Sequence, residues 1–188
     1  MALILVGGQA KHVGKTTLVC NIISAFPQLG WSAAKITNHK HEVTGCELLR
    51  RSDTWSIWEQ TVAGDQNDTA RFLRAGAKKA YLLQAEDADP MDGWKALRTI
   101  VSEKDVIVES SRAAGFLHAD LFLMMLDGSQ SDFKASSLQQ LEKVSAFLWK
   151  DQVEVANSGL GKNPNFPALR ESLDSRLVTL IEEVVNRS

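Results

Sequence analysis

The sequence predicts an α/β fold of three layers, a mostly parallel sheet covered by helices on both faces. Three observations predict it. Apolar runs such as Leu3-Ile4-Leu5-Val6 are unbroken, which suits strands buried on both faces. Strand-like runs alternate with amphipathic helical runs along the chain, and right-handed crossovers turn that alternation into a parallel sheet. The first strand also passes through a glycine-containing turn straight into a helix. The length of 188 residues suits one domain, residues 1–188, with a sizeable core. Hydrophobic content of 44% and charged content of 23% are ordinary for a soluble globular protein. A net charge of −2 argues against a general nucleic-acid or anionic-membrane surface. No apolar run approaches the roughly 20 residues of a membrane helix. The strand-like start leads into the glycine turn and does not read as a signal peptide. Two cysteines, Cys20 and Cys46, supply no disulfide framework, so a reducing, cytoplasmic setting is the expectation.

Residues 2–6 form the first expected strand. The turn after it reads Val6-Gly7-Gly8-Gln9-Ala10-Lys11-His12-Val13-Gly14-Lys15-Thr16-Thr17. Strand, glycine loop, Lys-Thr and helix in this order are the context of a phosphate-binding loop. Glycine allows backbone N–H groups to turn inward around phosphate oxygens, and the helix N-terminus adds unpaired donors and partial positive charge. Gly8, Gln9, Lys11, His12, Val13, Gly14, Lys15, Thr16 and Thr17 are therefore the candidate nucleotide-binding residues. Lys15 would reach the terminal phosphates, and the Thr16 hydroxyl would ligate a Mg²⁺ bound to them. The usual pattern has four residues between its first glycine and the Gly-Lys pair. Here five residues separate Gly8 from Gly14, so the loop is one residue too long or lacks its first glycine.

The helix carrying Leu18, Val19, Ile22, Ile23 and Phe26 should stop before Pro27 and Gly30. Cys20 within it reads as helix packing. Residues 31–37 are a second strand, ending in Asn38-His39-Lys40-His41-Glu42. That segment admits three readings: a contact to substrate or phosphate, a metal site of His39, His41 and Cys46, or a solvated loop. The histidine and cysteine spacing fits no well-known zinc pattern and lacks a fourth ligand. Residues 38–54 read as loop and 54–62 as a short helix. A further helix covers residues 70–75, with Asp68 as its N-cap and Gly76 as its C-terminal cap. Residues 79–83 make a third strand, and a helix opens at Pro90 with Trp94, Leu97, Ile100 and Val101 on one face.

Asp105-Val106-Ile107-Val108-Glu109 is a short β-branched run ending in an acid. A carboxylate at a strand's carboxyl end beside a phosphate loop can hold Mg²⁺ or orient a nucleophile. Lys15 and Glu109 are the candidate catalytic pair, and Thr16 and Glu109 the candidate metal ligands; the bland alternative for Glu109 is a surface-facing strand end. Residues 120–126 are a buried strand whose closing Asp127 could also face the site. A helix is expected over 137–148 and a strand over 153–157, with a loop marked by Pro164 and Pro167. Leu177, Leu180, Ile181, Val184 and Val185 give a terminal amphipathic helix. No Asn-Lys-x-Asp motif is present, so GTP and ATP both remain open. Asn157 either reads a base edge through its amide or forms a turn before Gly159.

Three stretches resemble the molybdopterin-guanine dinucleotide biosynthesis B proteins, small P-loop GTPase-like proteins. They are Gly14-Lys15-Thr16-Thr17-Leu18, Ile36-Thr37-Asn38-His39-Lys40-His41-Glu42, and Asp68-Thr69-Ala70-Arg71-Phe72-Leu73-Arg74-Ala75-Gly76-Ala77. The family has Ile-Lys-His-Thr-His-His-Asp at the second stretch and Asp-Ser followed by Arg-Ala-Gly-Ala at the third. The resemblance covers about residues 2–110. Two departures stand out: the family's Lys-His pair is Thr37-Asn38 here, and its Val-Glu-Gly-Phe stretch is Val108-Glu109-Ser110-Ser111. The resemblance implies a three-layer P-loop NTPase, binding of a nucleoside triphosphate with Mg²⁺, slow hydrolysis, and a part in molybdenum cofactor biosynthesis alongside a protein of that pathway. Related proteins often pair, so a homodimer belongs to the same expectation. Dethiobiotin synthetase is a second resemblance. Its Gly-Thr-x-Thr-x-Val-Gly-Lys-Thr loop has the five-residue gap of Gly8 to Gly14, which implies an ATP-dependent ligase or small-molecule kinase. A third reading is a nucleotide-switched partner-binding module, with loops 38–54 and 110–118 as switches.

Overall fold

A computed structural model describes residues 2–38, 43–86, 90–130, 133–150, 163–167 and 173–187. Among these, nine strands form one sheet in the order β3-β4-β5-β2-β6-β1-β7-β8-β9. The strands are β1 (Leu3–Gly8), β2 (Ser32–Thr37), β3 (Cys46–Arg51), β4 (Trp55–Gln60), β5 (Lys79–Ala85), β6 (Val106–Glu109), β7 (Leu121–Leu126), β8 (Ala146–Trp149) and β9 (Asn165–Pro167). The helices are α1 (Lys15–Ala25), α2 (Asp68–Arg74), α3 (Pro90–Arg98), α4 (Ala135–Leu138) and α5 (Ser175–Arg187). The sheet is parallel apart from the β3-β4-β5 end, where both pairings are antiparallel. None of the helices is long and apolar enough to cross a membrane.

Side chains alternate between two cores, as period 2 requires. Ile4 and Val6 of β1 pack with Val19, Ile22 and Ile23 of α1, Phe72 of α2, and Leu177 and Ile181 of α5. Leu5 points the other way, into a cluster with Ile57, Trp94, Leu97, Val108, Phe122 and Phe147. Helices α1, α2 and α5 thus cover one face and α3 the other, giving the three expected layers. Strand β1 lies between β6 and β7, its neighbours on opposite sides. Its successor β2 pairs with β6 on one side, whereas β7 continues to β8 on the other. The carboxyl end of β1 is therefore a switch point, where α/β sheets bind ligands.

Four expectations are corrected. Residues 54–62 are not helical: Trp55 and Ile57 are buried two residues apart, the period of a strand, and β4 pairs with both β3 and β5. Their aromatic and β-branched side chains fit a pleated surface better than a helix. The expected loop over 38–54 contains β3, an edge strand whose exposed, charged residues show no apolar alternation. The expected helix over 137–148 breaks after four residues, and Ala146-Phe147-Leu148-Trp149 forms β8 beside β7. The segment between Pro164 and Pro167, expected as loop, pairs with β8 as β9. The expected strand over 153–157 lies outside the described residues.

Candidate active site

The phosphate loop begins one residue later than the glycines suggest. The Gln9 amide still donates to Met125 O at 2.9 Å, so Gln9 continues the pairing of β1 with β7. Ala10, Lys11, His12 and Val13 then form a four-residue turn before Gly14, which removes the apparent extra residue. Gly14 sits at φ 100° as the N-cap of α1, a left-handed conformation that favours glycine, with no side chain capping the helix. The first N–H groups of α1 are thus left for an anion. Lys15 Nζ donates to Ala10 O at 2.8 Å across the turn. Burial pushes the Lys15 ammonium below its ordinary pKa, with Lys134 and Lys35 adding to it against the pull of Glu109.

A cavity of about 800 Å³ opens over this loop. Of the candidate site residues, Lys11, His12, Gly14, Lys15, Thr16, Thr17, Asn38 and Glu109 line it. Gly8, Gln9 and Val13 do not line it. Gly8 is a packing position: a Cβ there would lie 2.7 Å from Val13 Cγ2. Val13 is fully buried in the α1 core. Gln9 is also buried, its Oε1 accepting from Asp127 N at 3.0 Å and its Nε2 donating to Gln130 O at 2.7 Å. His39, Lys40, His41, Glu42 and Asn157 lie outside the described residues.

Thr16 at the start of α1 organises the acids. Its Oγ1 lies 2.8 Å from Glu109 Oε2 at the end of β6 and 3.0 Å from Asp68 Oδ1 at the start of α2. Glu109 is buried and faces the cavity rather than solvent. Lys35 on β2 bridges the two acids, donating to Asp68 and, at 3.0 Å, to Glu109 Oε1. Burial alone would lower the Lys35 pKa, but Glu109 and Asp68 outweigh it and hold the ammonium above its ordinary value. Burial likewise opposes the Asp68 charge, and Lys35 and Thr16 more than offset it, bringing that carboxyl below its ordinary value.

The sequence reading missed Lys35, Arg71 and Lys134 and misread Asp68. Asp68 is not the cap of α2: the side chain of Asn67 accepts from Ala70 N at 2.8 Å and takes that part, freeing Asp68 for the site. The available signal for Lys35 was a lone charge inside the buried run Ala33-Ala34-Lys35-Ile36. Arg71, one turn along α2 from Asp68, reaches Thr17 Oγ1 at 3.4 Å. Asp127, expected as an alternative acid, is buried and takes hydrogen bonds from Ser129, Gln130 and Lys150 instead of lining the cavity.

The donor set fits Mg²⁺. A hydroxyl and two carboxylates are hard oxygen ligands, and a phosphate-bound Mg²⁺ needs only one or two carboxylates from protein. Thr16, Glu109 and Asp68 would hold it. Among the described residues no group of three or more His, Cys, Asp or Glu side chains is placed to hold a metal ion by itself. Cys46 donates to Gln60 Oε1 at 3.0 Å, and burial raises its pKa, which keeps it a thiol.

No family model and no curated protein sequence matches this chain. Solved structures do. The "apo" form of LpxK from Aquifex aeolicus, in complex with ATP, superposes with a TM-score of 0.54 at 16% identity, covering 89% of this chain and 53% of that one. The chain thus spans about half the length of LpxK. A MobB protein homolog from Bacillus stearothermophilus superposes with a TM-score of 0.52 at 19% identity, covering 99% of both chains. The fold is that of the P-loop NTPases. At these identities the likeness is one of architecture, and with the MobB homolog it runs the full length of the chain, past the residues 2–110 that carry the sequence resemblance.

Proposed function

We propose that this chain binds a nucleoside triphosphate with Mg²⁺ and hydrolyses it slowly, in the service of molybdenum cofactor maturation. One observation carries the nucleotide reading: the Thr16 hydroxyl meets both Glu109 and Asp68 on the wall of the cavity into which the phosphate loop opens. A purely structural Thr at a helix start has no need of two carboxylates. In this reading the loop N–H groups and Lys15 neutralise the phosphate charge, and Thr16, Glu109 and Asp68 position the metal. Mg²⁺, when bound, supplies charge stabilisation to an in-line phosphoryl transfer. The molybdenum cofactor assignment rests on the sequence resemblance and on the full-length likeness in fold to a MobB homolog.

A second reading, an ATP-dependent ligase or small-molecule kinase, draws support from a different observation. Ser110, Ser111 and Arg112 line the cavity directly after Glu109, where the resembled family carries Gly-Phe. These polar groups suit an acceptor. Binding of ATP and GTP by calorimetry, each with and without Mg²⁺, tests the main reading. Micromolar binding of one nucleotide that strengthens with Mg²⁺ and is lost in Lys15→Ala supports it. Absence of binding to both nucleotides sinks it.

A further inference from the structure

Beyond the phosphate loop, the cavity is lined from the C-terminal half of the chain by Lys134 and Ser136. These residues are pinned in place. The Lys134 amide donates to Gln9 O at 3.0 Å, and the fully buried Ser137 Oγ donates to Gly8 O at 2.8 Å. Ser137 N donates to Lys134 O at 2.8 Å, closing the turn between the two clips. The segment is therefore registered directly on the strand-to-loop junction, and its lysine is delivered to the loop that α1 follows.

The charges there do not balance. Two carboxylates line the cavity, Asp68 and Glu109, and Lys35 already bridges them. The charged groups that act on Lys134 are Lys11 and Lys35, and Lys134 in turn acts on Lys15. Among the described residues, no acid is paired with Lys11 or Lys134. Burial together with these like charges depresses the Lys134 pKa. Like charges held together on one cavity wall repel until a polyanion enters between them. A triphosphate has one more phosphate to offer than a diphosphate, and Lys134 and Lys11 add positive charge for it beyond that of Lys15 and the loop amides.

We propose that Lys134 and Lys11 clamp the terminal phosphate of a bound nucleoside triphosphate, and that Lys134, delivered by the segment clipped to Gly8 and Gln9, sets the preference for triphosphate over diphosphate. This rests on the nucleotide reading above. Lys134 is exposed, so replacing it spares the core. The test measures Kd for Mg²⁺ complexes of ATP, ADP, GTP and GDP with the unaltered protein, Lys134→Ala, Lys134→Arg and Lys15→Ala, with thermal unfolding as a control. Lys134→Ala should weaken the triphosphate by about tenfold or more and the diphosphate by less than about threefold. Lys134→Arg should restore the triphosphate to within about threefold, because it restores the charge. An equal loss for both nucleotides, or no loss, overturns the clamp while leaving the nucleotide reading intact. Failure of the unaltered protein to bind any of the four overturns both.

Discussion

Thr16 donates toward two acids that share one lysine, so each member of this group changes the work of the others. Glu109 and Asp68 carry negative charge toward the proposed phosphate site, which is useful only if a cation stands between. Glu109→Gln and Asp68→Asn should each reduce the Mg²⁺-dependent gain in nucleotide affinity by about tenfold, about 1.4 kcal/mol. Metal-free affinity should hold or rise, since a repelling charge has gone. Titrations with Mg²⁺ and with chelator distinguish the two terms, and an equal loss in both would remove these acids from the metal. Lys35 supports a second expectation. Its removal in Lys35→Met leaves Asp68 and Glu109 facing one another, at a cost of about 1–3 kcal/mol. Asp68 has its pKa lowered in the folded state, so its contribution is present above the unfolded value near pH 4 and is lost as pH falls through the folded value. Lys35 has its pKa raised, so its contribution is present below about pH 10 and is lost as pH rises through the folded value. The stability gap between the unaltered protein and Lys35→Met should therefore be widest between those limits and should narrow progressively as pH falls below about 4. Urea unfolding across pH 3–9 reads this directly, and a gap that does not narrow in acid would show that Lys35 acts through packing alone.

At the scale of elements, α2 matters because its first turn aims Asp68. Asn67 caps that turn, and its Nδ2 also donates to Thr44 O at 3.1 Å, tying the helix start to the residues before β3. Asn67→Ala should cost about 1 kcal/mol of stability. It should also blunt the Mg²⁺ dependence of nucleotide binding, because Asp68 loses its fixed approach to Thr16. If Mg²⁺ dependence survives a measured loss of stability, α2 is held by its packing and the cap serves stability only. This element also shows what a sequence conceals. Asn67 and Asp68 are adjacent and both cap well, so propensity cannot say which is spent on the helix and which is left for chemistry. The hairpin of β3 and β4 was hidden for a different reason. Trp55, Ile57 and Trp58 fit short templates of both periods, and β3 buries too little to show any alternation. The glycine loop was legible because the expected phosphate contact calls for particular residue types, and Gly14, Lys15 and Thr16 supply them. Glu109 was singled out only through its pairing with the glycine loop, because short apolar runs ending in an acid are common. Lys35 offered only a lone charge inside a buried run, and Lys134 offered no local sign, since only the assembled sheet brings β2 and the segment before α4 to the same cavity.

At the scale of the whole molecule, Gln9 joins the two halves of the chain. It follows β1, yet its side chain bridges Asp127 N and Gln130 O after β7, and its carbonyl accepts from Lys134 N. Asp127 is in turn held by Ser129, Gln130 and Lys150, and these partners bring its carboxyl well below the ordinary range. The phosphate loop is thereby mounted on the C-terminal half, although the resemblance that pointed to it lies in the N-terminal one. This separates stability from ligand binding in a testable way. Gln9→Ala leaves the buried Asp127 N–H without its partner, at about 1–3 kcal/mol, and the part-buried Gln130 carbonyl without its own, at about 1 kcal/mol. A total loss of about 2–4 kcal/mol should lower Tm by about 4–16 °C for a chain of this size. Nucleotide affinity should stay within a few-fold, because the lost side chain faces away from the cavity. Lys15→Ala should do the reverse: it leaves Tm of the free protein near its starting value and removes the rise in Tm that saturating Mg²⁺ and nucleotide would otherwise give, about 2.7 kcal/mol at a hundredfold excess over Kd. Scanning calorimetry on both variants, with and without nucleotide, separates the two effects. Loss of nucleotide binding in folded Gln9→Ala would show that the bridge to Asp127 and Gln130 shapes the loop itself and does more than hold the halves together.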